Sequence, residues 1–312
     1  NLWISYELIK EIKFMFPNLL LITVCHSIIK MEHLTNMESP NTKQYYEQEI
    51  TFEYSDVVLL ISESEKEHYI NLGYDKYKAD LYVIHNSYKP KYDKEYKKID
   101  YSLNDVGYIG RHVPRKRPEL PIMAVSKSDI GKVKVYNMGI KSENEYWNNL
   151  IKEYNDTLNV IQFTSDKNII EDYWSKIGVN SITGIYEPFG YTMCETLDRR
   201  IPAIVPNIGG PKEITNKVKD YVFMYDVDLD IERDINNYLK ALRKFWKTDP
   251  EVRQKMAEKA RIALDDFRPE VIKMKWKVLL DNKKAKDIRL YKDKIYINRY
   301  NLNRILCDYN LN

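Results

Sequence analysis

Apolar positions along this chain fall into two spacings that alternate. Between Ile4 and Phe16 the apolar residues Ile4, Leu8, Ile9, Ile12, Met15 and Phe16 recur every three to four positions, which predicts a helix lying on a core and ended by Pro17. Leu19 to Val24 is a short continuous apolar run, the pattern of a strand buried on both faces. Cys25-His26-Ser27 lies at its C-terminal end, and a polar stretch follows to Thr42. The unit then repeats, with a helix from about Lys43 to Phe52 and a strand from Val57 to Ile61. Ser62-x-x-Glu65 forms a capping box that opens a short helix, Gly73 ends it, and Leu81 to Ile84 reads as a third strand. Such alternation predicts a parallel sheet covered by helices.

Ser87 to Asn104, rich in Lys, Tyr and Asp and without an apolar period, reads as an interdomain linker. A second series begins at once, with strands expected at Val106 to Ile109, Val133 to Met138, Val160 to Phe163, Ser181 to Ile185, Ala203 to Val205 and Tyr221 to Met224. The helices between them are expected near Pro118 to Ser126, Glu143 to Tyr154, Asn168 to Lys176 and Tyr191 to Arg199. Three more should follow, near Ile231 to Trp246, Glu251 to Asp266 and Pro269 to Leu280. The second series is a complete set of six strands, whereas the first has about three and a single glycine, Gly73. A doubly wound nucleotide-binding domain usually opens on a glycine-rich strand-to-helix turn, so the N-terminal domain is expected to be incomplete.

Composition narrows the class further. The chain has 312 residues, 44% apolar and 30% charged, enough for two domains of ordinary size. No apolar run approaches the roughly 18 residues of a membrane span, and Asn1 is followed by no signal-peptide pattern, so the expectation is a cytoplasmic protein, peripheral at a membrane at most. Cys25, Cys194 and Cys307 stand far apart, which argues against a disulfide framework or a zinc site. The net charge is +3, but Lys283 to Asn312 holds eight Lys/Arg against three Asp, leaving −2 for residues 1–282. The basic excess is a Tyr-rich tail, for which a hairpin of Ile288 to Tyr291 with Lys294 to Asn298 is expected.

The chemistry concentrates in Glu187-Pro-Phe-Gly-Tyr-Thr-Met-Cys-Glu195, two carboxylates on a segment that leaves a strand and enters a helix. Glu187 then sits in a loop at the carboxyl end of the sheet, where open α/β sheets bind ligands, and Glu195 about two turns along the helix. The amides of Gly190, Tyr191 and Thr192 lie at that helix N-terminus, where unpartnered N–H groups and the helix dipole suit a diphosphate.

These residues resemble the glycosyltransferase family 4 group, retaining enzymes that use nucleotide-sugars and have the two-domain GT-B fold. The family's Glu-x-Phe-Gly-x-x-x-x-Glu is present without a gap. Gly110-Arg111 with Lys116-Arg117-Pro118 resembles its Gly-Arg and Lys-Arg-Pro pair, and Gly209-Gly210-Pro211-x-Glu213 its Gly-Gly-x-x-Glu. Ser55-Asp56-Val57-Val58, Ile61-Ser62-Glu63 and Val83-Ile84-His85-Asn86 are similar to the run into the family's linker, so the likeness covers about residues 19 to 280. It implies two Rossmann-like, doubly wound domains facing a cleft: 1–104 on the acceptor side, 105–268 for the nucleotide-sugar, a helix at 269–282 crossing back, and the tail at 283–312. It also implies that Arg111 and Lys116 hold the donor diphosphate and that Glu195 accepts from the ribose hydroxyls. Glu187, with the Phe189, Gly190, Tyr191 and Thr192 segment, contacts the transferred sugar, and His26 reaches it from the opposite domain. The donor would be a UDP- or GDP-sugar and no metal would be required. The sequence departs from the family at Thr183-Gly184, where Pro-Ser is usual, and at Leu197-Asp198-Arg199-Arg200-Ile201-Pro202, where a small Ala-x-Gly-x-Pro turn is usual.

Other readings stay beside this one. Asp226-Val-Asp228 has the spacing of an Asp-x-Asp metal motif, but Asp228 or Asp230 is more simply the N-cap of the helix at Ile231. His33, His68, His85 and His112 show no metal spacing. Cys25 and His26, adjacent on a strand, point to opposite faces and do not make a nucleophile and base. Beside a transferase acting on a glycan, a lipid-linked sugar, a teichoic-type polymer or modified DNA, the alternatives are a non-catalytic or half-enzyme binding subunit and a phage-type DNA glucosyltransferase. A homo-oligomer is compatible with any of them.

Overall fold

The computed structural model describes residues 6–92, 99–130, 133–139, 145–162 and 164–284. The expected tail hairpin lies outside the described residues.

The N-terminal part runs α1 (Tyr6–Met15), β1 (Ile22–Cys25), α2 (Ile29–Asn36), α3 (Thr42–Glu53), β2 (Val57–Leu60), α4 (Glu63–Asn71) and β3 (Asp80–Val83). Its three strands form a parallel sheet in the order β1-β2-β3, with Cys25 opposite Leu60 and Leu60 opposite Val83 at the carboxyl edge. All four residues of β2 are buried, as a central strand between two helix layers requires. The Ser62 hydroxyl accepts the Glu65 amide at 3.1 Å, so the expected cap opens α4. The polar stretch after Ser27 is not a loop: α2 fills it. Only Ile29 of that helix is buried and no side chain caps it, so neither periodicity nor a cap marked it.

The C-terminal part runs β4 (Val106–Ile109), α5 (Glu119–Ser126), β5 (Val135–Gly139), α6 (Glu145–Glu153), β6 (Leu158–Gln162), α7 (Lys167–Lys176), β7 (Val179–Ser181) and α8 (Tyr191–Asp198). It continues with β8 (Ala203–Pro206), α9 (Gly209–Thr215), β9 (Phe223–Tyr225), α10 (Ile231–Lys247), α11 (Pro250–Ala260) and α12 (Pro269–Lys284). The strands form one parallel sheet in the order β6-β5-β4-β7-β8-β9. The order reverses beside β4, whose neighbours are β5 and β7. The loops leaving the carboxyl ends of β4 and β7 therefore lead to helices in different core clusters, α5 and α8, and the sheet edge above them is where such folds take a ligand.

Two corrections concern helices. The helix expected from Glu251 to Asp266 is α11 followed by a 3-10 segment over Arg261–Phe267. Helix α9 is an addition, since two glycines and a proline at its start carry no helical signal. One face of the larger sheet packs on α5 and α10 through Leu120, Ile122, Ile235, Tyr238, Leu242 and Phe245. Met193, Leu197, Ile214 and Leu264 share a second buried cluster with Ala203 and Val205 of β8. Helix α12 returns to the smaller sheet: Ile272 and Leu279 are buried with Leu59 and Ile84, and Lys283 pairs with Asp80 at the start of β3.

Candidate active site

The crevice beside β4 is built from two loops. The first, residues 110–118, leaves β4. Tyr108 donates to the Arg111 carbonyl at 3.0 Å, and the Arg111 side chain is exposed. His112 stacks on Trp147 of α6 at 4.3 Å and bonds Asn137 at 2.7 Å, which pins the loop to β5 and α6. The three basic residues at 115–117 then diverge. Arg117, with φ of 43°, is buried and ion-paired with Asp234 of α10, also donating to the Asp228 carbonyl at 2.9 Å. Arg115 is buried in the opposite direction, toward the smaller sheet. Lys116, half-buried, points into the crevice and pairs with Glu187. Burial pushes the Lys116 ammonium below the usual lysine value against the upward pull of Glu187.

The second loop, residues 182–190, leaves β7 and is zipped to the first. The Thr183 hydroxyl donates to the Lys116 carbonyl at 2.6 Å, and the Ile185 amide donates to the Arg115 carbonyl at 2.8 Å. Thr183, in the segment that departs from the family pattern, thus tethers the lysine loop. The Glu187 carbonyl accepts the Gly210 amide at 2.9 Å, so the start of α9 supports the loop from behind. A Cβ on Gly210 would meet the Phe189 carbonyl oxygen at 2.2 Å, which explains the glycine there. Phe189 is buried between Tyr191 and Phe267, and Gly190 turns the chain into α8 with φ of 107°. No side chain caps this helix end.

Helix α8 begins at Tyr191, as expected, but Glu195 is only its fifth residue and so sits little more than one turn inside it rather than about two. Its half-buried carboxylate takes no hydrogen bond from the described residues. Burial raises its pKa, opposed by Arg199 and Lys91. Arg200 occupies the family's glycine position with φ of 57° and is not a simple surface change: its guanidinium donates to the Tyr92 carbonyl at 3.0 Å. Asp198, buried beside it, accepts from Tyr88, Lys91 and Arg261 and ties the start of the linker to α8.

The smaller sheet supplies the facing wall. His26 follows β1, exposed, with Cys25 buried behind it. The next residues, Ser27 and Ile28, meet Tyr186 across the interface. A second crossing lies at α9, where the Glu213 carboxylate accepts the Glu63 and Ser64 amides at the start of α4, at 2.9 and 2.8 Å, and bonds His85 at 2.9 Å. These contacts hold the Glu213 carboxyl below its ordinary range although burial alone would raise it. In the sequence Glu213 stands in a motif that gives it no role, and nothing there marks Tyr186 or Arg115. Their partners are 71 to 159 residues away, so no local pattern carries the signal. Asp226, Asp228 and Asp230 are each engaged, with Asn207, Arg233 and the first turn of α10, and Asp230 is the N-cap.

A family model for the group 1 glycosyl transferases matches residues 92–263. The chain belongs to this family. Among curated protein sequences nothing matches it. Solved structures with similar folds include sucrose-phosphate synthase from Thermosynechococcus elongatus, at TM-score 0.70 and 18% identity, over 91% of this chain and 73% of that one. Anabaena HepE in complex with UDP-glucose is similar at TM-score 0.68 and 17% identity, over 89% and 77%. A mutant of S. aureus TarM, in complex with fondaparinux, α-GlcNAc-glycerol and UDP, is similar at TM-score 0.61 and 20% identity, over 83% of this chain but only 50% of its own. At these identities the likeness is one of fold, and the fold is GT-B. Among the described residues, no helix of this family member is long and apolar enough to cross a membrane.

Proposed function

We propose that this group 1 family member transfers a sugar from a nucleotide-diphosphate donor to an acceptor hydroxyl with retention of configuration. The observation that carries the reading is the convergence in one crevice of a lysine, a carboxylate and an uncapped helix start, at the point where the strand order reverses. Arg111 and Lys116 hold the diphosphate oxygens and stabilise the charge that builds on them as the bond to the sugar breaks. The Lys116–Glu187 pair occupies the crevice in the structure; a diphosphate competes for the ammonium and leaves Glu187 to accept from sugar hydroxyls, together with the Phe189 to Thr192 segment. Glu195, whose carboxylate takes no hydrogen bond from the described residues, accepts from the ribose hydroxyls, and His26 meets the sugar from the facing wall.

In the transfer step the anomeric carbon loses its bond to the phosphate oxygen and gains one to the acceptor oxygen on the same face. The acceptor proton passes to the departing phosphate. The positive charge needed at the diphosphate comes from Arg111 and Lys116, so the reaction is expected to proceed in excess EDTA; strict dependence on added magnesium or manganese would overturn that part. The UDP named with HepE and TarM favours a uridine donor over a guanosine one.

The test is a panel of UDP- and GDP-sugars followed by turnover and calorimetry. Glu195→Ala is expected to weaken nucleotide binding. Arg111→Ala or Lys116→Ala should each lower turnover roughly ten- to a hundredfold, the loss of a charge-assisted contact of about 1.5–3 kcal/mol. Unchanged kinetics in all three variants would remove the site assignment. A second reading, a subunit that needs a partner chain for activity, is favoured by the three-stranded N-terminal sheet. Donor turnover by this chain alone refutes it.

A further inference from the structure

Three residues assigned above to the reaction each have an immediate neighbour in one cross-domain network. Tyr186 precedes Glu187, Arg115 precedes Lys116, and Ser27 follows His26. The Tyr186 ring is buried, and its hydroxyl lies between the two sheets' loops. It donates to Glu65 at 2.8 Å, accepts the Ile28 amide at 2.9 Å and lies 3.2 Å from the Ser27 hydroxyl. Glu65, fully buried on α4, also faces His68 at 3.3 Å. Arg115 makes the second strap. Its guanidinium donates to the Tyr186 carbonyl at 3.2 Å and pairs with Glu32 of α2 at 3.4 Å, while its amide donates to Asn36 at 3.3 Å. Ser27 donates to the same Glu32 at 2.7 Å, which closes the circuit.

The alternation matters. In each loop one residue turns into the interface and its neighbour is left for the crevice, so the interface contacts set where the crevice residues stand. The network is made of hydrogen bonds and one ion pair, and every one of them can be exchanged for water. Interfaces between domains of one chain are mostly of this polar, separable kind, and here the network stands beside a small apolar contact in which Ile61 shares a buried cluster with Phe189 and Val205. We infer that Tyr186 and Arg115 are positioning residues: they strap the cleft shut and thereby bring the His26 wall onto Glu187 and Lys116. The inference rests on the transferase reading for what the closed cleft does, and on the contacts alone for the strap itself.

Tyr186→Phe removes one oxygen and keeps the packing; Glu32→Gln removes the charge opposite Arg115 and keeps the shape. The side-chain partners of both lie in the network, on Arg115, Ser27, Ile28 and Glu65. Three measurements on the full chain read the result: small-angle scattering without ligand, UDP affinity by calorimetry, and turnover of whichever panel donor the wild type uses. Tyr186→Phe is expected to enlarge the radius of gyration, leave UDP affinity within about twofold, and lower kcat roughly tenfold or more, the loss expected for a hydrogen bond to a charged group. Glu32→Gln should act in the same direction, and the double variant should fall short of the sum, because both changes release one closure. Unchanged scattering overturns the strap. A parallel loss of UDP affinity and kcat overturns the positioning role, since the hydroxyl would then act within the donor loop. If the wild type turns over no donor, the transferase reading fails, while scattering still decides whether these residues hold the domains together.

Discussion

The two sheets follow the same parallel, helix-covered pattern but differ in what completes them. Strands β4, β7 and β8 of the six-stranded sheet are almost wholly buried, with helices α5 and α10 closing one face. In the three-stranded sheet only β2 is buried throughout; β1, at the edge, has one buried residue and β3 has none. Large apolar side chains nearby stand in solvent, Phe14 at 89% and Met37 at 86% exposure. Part of the smaller sheet's cover comes from α12, the last described helix, and much of its placement from Tyr186, Glu213 and Asp198 of the larger unit. The wall that carries His26 therefore owes part of its cover and of its placement to the larger unit. In such a molecule the six-stranded unit can be stable while the three-stranded unit is the more conditional one.

Perturbations that reach one sheet and spare the other test this asymmetry. Leu279→Ala, at a position buried against β2 from α12, should cost about 2–5 kcal/mol and fall mainly on the smaller sheet. Hydrogen exchange should then quicken in residues 57–83 with 106–138 little changed; equal loosening of both would refute the asymmetry. Gly210→Ala should do the opposite. Its Cβ meets backbone atoms of Phe189, which cannot swing aside, so a cost of about 1–3 kcal/mol is expected together with weakened nucleotide binding. Calorimetry with UDP checks it, and wild-type affinity would show that the Phe189 loop does not need its support from α9.

Acid should part the sheets before it unfolds either. The Glu213 pKa is depressed in the folded chain, so its contribution is fully present above the ordinary glutamate value of 4.5 and is lost as pH falls through the lower, folded value. Glu213→Gln removes that contribution at neutral pH and should flatten the acid limb of the scattering-detected opening. An identical acid limb in the variant would mean that other carboxylates govern it. The smallest effect is expected from Arg200→Gly. Relief of a left-handed φ in a non-glycine residue, worth about 1 kcal/mol, opposes loss of the guanidinium bond to Tyr92, so thermal stability should move by less than about 1 kcal/mol. A larger loss would show the side chain to be what holds the linker at Tyr92.

How much of this was legible in the sequence follows from how local each feature is. Strands such as Val57–Leu60 and Ala203–Pro206 were readable because a buried parallel strand is a short apolar run whatever surrounds it. The crevice loops were readable too, since Arg111, Lys116, Glu187 and Glu195 each follow a strand or enter a helix within a few residues. Helix α2 was not, because one buried residue and no cap leave no pattern. Nor was it legible that, of three consecutive basic residues, Arg115 and Arg117 are consumed by Glu32 and Asp234 while Lys116 alone faces the crevice. Spacing along the chain determined which side chains stand at the carboxyl ends of the strands. Which of them turn inward, and that Tyr186 and Glu213 bind backbone amides more than 140 residues away, was decided only when the strand order and the return of α12 brought two sheets together. Hydrogen bonds form between neighbours in space, and only the tertiary fold makes these residues neighbours.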